Sequence, residues 1–367
     1  MSLQAVCERL SVDPEKMGAA ISKDLAKLGY PAKYEIIGLP GGASNRGYLR
    51  VKFSGKSKKP SLIVMVLRDP DFRQSVEEVL EDGFEITELP FLNVLKHFSA
   101  SGVSVPRLDH DHEKAGLIYI EDLGDTLLRN AIVNSDQDRR KQWLKKAIDE
   151  LVRIQVGAGT VKDKNFIGFR VKFNRGLLRW ELDHFKEWAL DKRLGPVLSD
   201  SESKMLDHAF EQITDELLAS PYILSHRDYH VDNLMVVDGK IRVIDFQDAF
   251  MAPYCYDLAC FLYDRDTSQI LGEDLIQETL KYNFDKLGEA GFKPLDFNGY
   301  LRVFNLCVLH RAFKVVGRFY YLAVFKKKPE YLAFMPSEYD VLGKFLDRCK
   351  EFVPLKKMLR KHLPELK

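Results

Sequence analysis

The sequence predicts an α+β chain of two unequal lobes, a small antiparallel β-sheet lobe over residues 1–122 and a larger, mainly helical lobe over residues 123–367. Three observations predict it. Short β-branched and aromatic runs, punctuated by PGG and SGKSKKP, crowd residues 34–68. From about Thr126 onward, apolar spacing near 3.6 dominates. One segment, residues 224–248, interrupts the helices with two short apolar runs, LMVV and IRVI, around Asp238-Gly239, a hairpin signal.

The elements follow in order. Residues 14–29 carry helical apolar spacing and stop at Gly29. Residues 34–68 read as three antiparallel strands with two turns. Residues 75–99 are helical, with Pro90 as a break. Residues 102–106 begin an extended run, and AGLIYIEDLGD is another strand ending in a polar turn. Amphipathic helices are then expected over 136–156, 176–192, 200–219, 256–264, 273–290, 298–325 and 338–352.

Composition narrows the function classes. Lys+Arg 55 against Asp+Glu 54 leaves a formal charge of +1, with no basic excess to attract nucleic acid. No apolar run reaches 18 residues, and the N-terminus MSLQAVCERLSVDPEK has no signal-peptide core, so a soluble cytoplasmic protein with no membrane partner is expected. The five cysteines form no CxxC pair and read as buried free thiols of a reducing compartment. Nothing in the sequence fixes the oligomeric state.

The chemistry concentrates in LSHRDYHVDNLMVVDGKIRVIDFQD, residues 224–248. Asn233 follows Asp228 by five residues, and Asp245 follows Asn233 by twelve. A loop followed by a tight hairpin brings Asn233 and Asp245 to one point, with Asp228 a few ångströms away. An amide oxygen beside a carboxylate suits Mg²⁺ shared with substrate phosphates. A further carboxylate off the metal, Asp228, can orient a hydroxyl and accept its proton. Phosphoryl transfer needs that equipment, and His-Arg-Asp, four residues, Asn, then apolar-Asp-Phe is the protein-kinase-like catalytic and metal-loop pattern.

Gln247, where protein kinases carry Gly, and QDAFMAPYCYDLACFLYD in place of an activation segment depart from protein kinases. The chain instead resembles the aminoglycoside phosphotransferase/choline kinase superfamily. Within it the chain is most similar to bacterial N-acetylmuramate/N-acetylglucosamine anomeric kinases of cell-wall recycling. GGASNRGYLRV, PFLNVLKHFSASGVSVPRL, IYIEDLGD, LLRWELDHFKEW, HRDYHVDNLM, VIDFQDAFMAPYCYDL, RAFKVVGRF and KPEYLAFMP carry that similarity. The resemblance implies a protein-kinase-like fold, ATP and Mg²⁺ as cofactors, and a small sugar or alcohol as phosphoryl acceptor. A kinase of an aminoglycoside, choline or homoserine and a non-catalytic nucleotide-binding regulator stay open beside it.

The remaining candidates sit around that core. GGASNRG at 41–47 offers backbone N–H groups and the donors Ser44, Asn45 and Arg46, with Gly41 and Gly42 admitting close phosphate approach; alone it also reads as a hairpin turn. LIVMVLRDP holds no strand lysine, so Arg68 or Arg46 is expected to meet the phosphates, with Glu85 or Glu88 as helix partner. By the resemblance, Glu121, Asp122 and Leu123 form the hinge whose backbone meets adenine. His226 is expected to pack structurally, and Asp257 to brace the catalytic loop. Asp248 reads equally as support or turn, and His230 as a donor to the transferred group or a solvent-facing ring. Arg311, Lys314 and Arg318 share a helical face, solvated by default, or in the sharper reading overhanging the acceptor. Glu181, beside Arg179, is placed with the acceptor too, while Phe185 and Trp188 suit core packing as well as sugar stacking.

Overall fold

The computed structural model describes residues 1–40, 46–55, 57–68, 87–293 and 296–366. The chain opens with α1 (Leu3–Leu10) and α2 (Pro14–Lys27). Asp13 caps α2 by accepting from the Glu15 and Lys16 amides, and Pro14 sits at the first turn where its missing N–H is not needed. Strands β1 (Tyr34–Gly38), β2 (Arg46–Phe53) and β3 (Ser61–Leu67) follow. Then come α3 (Pro90–Ala100), β4 (Leu108–His112) and β5 (Leu117–Glu121). They form one antiparallel sheet in the order β1-β2-β3-β5-β4.

Alternation along the strands gives this sheet two different faces. Leu49, Val51, Leu62, Val64, Val66, Leu117 and Tyr119 pack on α1 and α2 in a small separate core. Ile63, Met65, Leu67, Ile118 and Ile120 face the larger core shared with the helices. Gly47 has to be glycine, because a Cβ there would stand 2.5 Å from Val6.

The helical region starts with α4 (Leu128–Val133) and α5 (Gln137–Val152), the latter widened into a π-turn over 153–158. It continues through α6 (Arg175–Phe185), a π-turn over 186–191, α7 (Lys192–Leu194) and α8 (Asp200–Ala219). Short strands β6 (Tyr222–Ser225) and β9 (Phe250–Pro253) pair antiparallel around the hairpin β7 (Leu234–Val237) and β8 (Lys240–Val243). Helices α9 (Tyr256–Tyr263), α10 (Thr267–Leu271), α11 (Glu273–Glu289), α12 (Phe297–Tyr320), α13 (Met335–Arg348) and α14 (Val353–Leu359) complete it.

The small antiparallel sheet and larger helical lobe match the sequence expectation. Of the helical stretch expected over 75–99, residues 75–86 lie outside the described residues, and α3 starts at Pro90, where the break was expected and where its fixed φ suits a first turn. The extended run expected at 102–106 becomes a regular strand only at 108. All five cysteines are buried and unpaired. Among the described residues, no helix is long and apolar enough to cross a membrane.

Candidate active site

Strand β6 delivers the chain into the loop 226–233, and buried Asp257 at the start of α9 holds that loop. Its carboxylate accepts from the Ser225 hydroxyl at 2.7 Å and from the amides of His226 at 2.6 Å and Arg227 at 2.9 Å. These bonds keep Arg227 at φ +78°, a conformation most side chains avoid. His226 is fully buried, with Nε2 2.9 Å from the Ile244 carbonyl, so it spans the loop and the segment after β8. Tyr229 donates to the Ala147 carbonyl at 2.6 Å and ties the loop to α5.

The hairpin turns at Asp238 and Gly239, both with positive φ. Its last pair is Leu234↔Val243, and one step further the Ile244 amide donates to the Asn233 carbonyl at 3.1 Å. Asp245 therefore stands one residue past Asn233's cross-strand neighbour. Asn233 turns its Nδ2 to the Asp228 carbonyl at 2.9 Å, and its Oδ1 accepts no hydrogen bond among the described residues. Asp245 is exposed at φ +61° and accepts from Gln247 Nε2 at 3.0 Å; the same Nε2 also reaches Asp248. Two hard oxygen donors on fixed backbone fit a divalent cation of the Mg²⁺ type.

Asp228 is half-buried, and its carboxylate accepts no hydrogen bond among the described residues. Burial pushes its pKa up, but Lys314, Arg311, Arg227 and His230 together outweigh burial and hold it at about 2. Arg311 and Lys314 leave the expected solvated face because α12 is wrapped by its neighbours. Arg311 is buried and ion-paired with Asp264, whereas Arg318 on the next turn is exposed. Lys314 Nζ lies 2.7 Å from Glu181 and 3.2 Å from the Tyr256 hydroxyl. Glu181 is fully buried and also faces Arg227 at 3.6 Å, so it touches open space only through those cations. Helices α12 and α6 approach backbone to backbone here; a Cβ on Gly317 would lie 2.5 Å from the His184 carbonyl oxygen. Burial lowers the His230 pKa, opposed by Asp264 and Asp228.

On the sheet side, Gly41, Gly42, Ser44, Asn45 and Glu85 lie outside the described residues. Arg46 opens β2 opposite Leu67 and hydrogen-bonds Tyr48. Burial raises the Tyr48 phenol pKa and the charge of Asp245 adds to it, so Tyr48 stands near the Asp245 segment. On β3 the residues of that same face are Ile63, Met65 and Leu67, none of them a cation. Arg68, the residue after β3, is exposed, without an ion pair among the described residues. Glu88 pairs with Lys96 and reaches Asn93 instead of a strand cation. Glu121 spends its side chain on Arg242 at 2.6 Å, and its amide donates to Arg107; Leu123 is buried. Phe185 is buried in the core and Trp188 packs edge-on to Tyr321.

Sequence reasoning missed Arg50. From β2 it reaches Asp122 at 2.8 Å, Asp125 at 2.8 Å and the Gly124 carbonyl at 2.9 Å. It also missed Asp264, the partner of Arg311, and Asp232, which joins Arg129 at 2.6 Å to Arg265 at 2.5 Å. An arginine amid an apolar strand was the one available signal for Arg50.

Both the sequence and the fold have known relatives. A model of the phosphotransferase enzyme family matches residues 35–293. A curated relative from Neisseria meningitidis serogroup B, named N-acetylmuramate/N-acetylglucosamine kinase, is 29% identical over 79% of this chain and 87% of its own. One of the same name from Pseudomonas aeruginosa is 27% identical over 74% of this chain and 77% of its own. Among solved structures, a choline kinase from Cryptosporidium parvum Iowa II superposes with a TM-score of 0.60 at 11% identity, covering 92% of this chain and 97% of that one.

Proposed function

The chain belongs to the phosphotransferase enzyme family, and from that premise we propose that it is an ATP-dependent kinase of a small-molecule hydroxyl. The acceptor we assign is the anomeric hydroxyl of an amino sugar of the N-acetylmuramate/N-acetylglucosamine class, phosphorylated in the cytoplasm during cell-wall recycling. The relatives carrying that name support the substrate class. The observation that carries the chemistry is Asp228, an ionised carboxylate with no hydrogen bond from the described protein, set in a field of three cations.

Residues 1–122 hold the nucleotide, with Arg46, Arg68 and the 41–45 segment at its phosphates and the Glu121–Leu123 backbone at the base. Residues 123–367 supply the catalytic groups and the acceptor pocket. Asn233 and Asp245 hold Mg²⁺, which when bound neutralises charge on the β- and γ-phosphates. Asp228 accepts a hydrogen bond from the acceptor hydroxyl and so aims its oxygen. At a pKa of about 2, Asp228 is too weak a base to ionise a free hydroxyl. It takes the proton only once bonding to phosphorus has made that hydroxyl acidic. His226 and Asp257 keep the loop in place without touching substrate.

Lys314 and His230 face the acceptor, Lys314 with an ammonium suited to a sugar oxygen or a lactyl carboxylate. Arg311 and Glu181 act through their partners. Around the acceptor, Arg227, Arg311 and Lys314 match Asp228, Glu181 and Asp264, so no acidic surplus favours a cationic acceptor such as choline or an aminoglycoside. The apolar β3 face favours a second reading, a non-catalytic nucleotide-binding regulator.

A screen of N-acetylmuramate, N-acetylglucosamine, choline, an aminoglycoside and homoserine with Mg·ATP, reading the phosphorylated position by ³¹P NMR, tests both. The 1-phosphate of an amino sugar is the expected product. Turnover confined to a cationic alcohol refutes the substrate class. ATP binding without any product supports the regulator.

A further inference from the structure

On the side of the sheet away from the catalytic loop, a second cluster of metal-ligating side chains comes together. The edge strand β4 reads LDHDH, and past a register shift between Leu108 and His110, strand alternation puts His110 and His112 on one face and Asp111 on the other. The register His110↔Tyr119 and His112↔Leu117 fixes which face this is. Tyr119 and Leu117 pack toward α1 and α2, so both imidazoles point to α2. There α2 presents Asp24, only 4% exposed. His112 Nδ1 is 2.7 Å from Asp24 Oδ2, and the Tyr119 hydroxyl donates to that same oxygen at 2.8 Å. One ligand atom from each of Asp24, His110 and His112 lies within 4.8 Å of the other two.

We propose that Asp24, His110 and His112 form a binding site for a divalent transition metal of the Zn²⁺ class, separate from the Mg·ATP site. Two neutral imidazoles and one carboxylate are the donor set such ions prefer, and hard Mg²⁺ does not. Zinc bonds of about 2.0–2.1 Å set neighbouring donors about 3.3 Å apart. The donors here stand between 2.7 Å and 4.8 Å apart, which brackets that spacing. His110 is free to turn: among the described residues it makes no hydrogen bond, only ring contacts with His112 and Tyr119. For Nδ1 to ligate, the single N–H proton of neutral His112 moves by way of solvent to Nε2, and the metal then stands between Nδ1 and the Asp24 carboxylate. Tyr119 keeps its bond to the carboxylate and holds it in position, as outer partners of metal ligands do. The His112 side chain is 38% exposed, which gives the ion a path in and leaves the fourth position to water. Once loaded, the site joins α2 to β4, one of the two edge strands of the sheet.

The test is calorimetric titration of the full chain, free of nucleotide, with Zn²⁺ alone, followed by Co²⁺ absorption spectra. One Zn²⁺ per chain, a tetrahedral Co²⁺ visible band, and at least about 100-fold weaker Zn²⁺ binding in His110→Ala are the expected results. His110 packs at the surface and leaves Asp24–Tyr119 intact, so its variant folds and keeps its Mg·ATP turnover. Asp24→Asn provides a second, independent loss of affinity. Absence of stoichiometric binding overturns the proposal. So does Zn²⁺ binding that survives His110→Ala and vanishes in Asp245→Asn, because the ion then occupies the catalytic loop.

Discussion

Lys314 Nζ stands 2.7 Å from the fully buried carboxylate of Glu181, and the same ammonium acts on Asp228. One cation thus links a residue with no open face to the carboxylate in the cleft. Lys314→Met removes a charge that lowers the Asp228 pKa, so that pKa rises from about 2 and the acid limb of the kcat/KM profile moves to higher pH. Loss of a charged hydrogen bond to the acceptor raises its KM by about 10–100-fold. A pH–rate series on parent and variant reads both effects.

Asp228→Asn keeps the shape and loses the proton acceptor. Turnover falls by about 10²–10⁴-fold, while ATP affinity by calorimetry stays within a factor of a few. A variant with near-parental turnover removes Asp228 from the reaction.

Asp245→Asn acts on the nucleotide instead. It weakens Mg·ATP binding by at least about tenfold, and raising the Mg²⁺ concentration recovers part of the loss, since the variant still offers an oxygen. Asn233→Ala removes its oxygen altogether and gives less recovery. Calorimetry at two Mg²⁺ concentrations separates them.

Glu338, on α13, is buried, and burial together with Asp264 pushes its pKa up to about 8 against the opposing charges of Arg311 and Arg265. Its folded pKa lies above the unfolded value of 4.5, so the folded state holds the proton longer. Its contribution is therefore fully present below about pH 4.5 and is lost as pH rises to about 8. Glu338→Gln keeps an acceptor for the Arg265 amide, bonded now at 3.0 Å, and does not titrate. The Tm of the variant gains on the parent steadily between pH 5 and 8, and an unchanged difference across that range contradicts the assignment.

Arg50→Met strands Asp122, whose side chain is 7% exposed. Removing one partner of a buried ion pair costs about 3 kcal/mol. Chemical denaturation should show that loss, with Asp125→Ala, whose carboxylate is 81% exposed, much milder.

Asp228, Asn233 and Asp245 were legible in the sequence because one loop and one hairpin, all within eighteen residues, fix their mutual placement. Asp257 was legible for a similar reason, lying at the start of the next helix. Arg50 and Asp122 are 72 residues apart, and Arg311 and Asp264 are 47 apart. No local pattern pairs such common residue types, so only tertiary packing reveals them. Lys314 read as part of a solvated face because its spacing is that of an amphipathic helix, whereas α12 is buried almost all round. The extended run begun at 102–106 was legible, but the bounds of β4 were not, since LDHDH has no apolar alternation and owes its pairing to β5. Helix α1, at eight residues, is too short for periodicity to mark it firmly.

The grip of Arg50 on residues 122–125 has a mechanical corollary. Thr126, just downstream, accepts the Val236 amide at 2.8 Å, so the connecting strip is bolted at one end to the sheet and at the other to the hairpin bearing Asn233. A jaw-like swing about this strip would break charged contacts on one side and backbone bonds on the other.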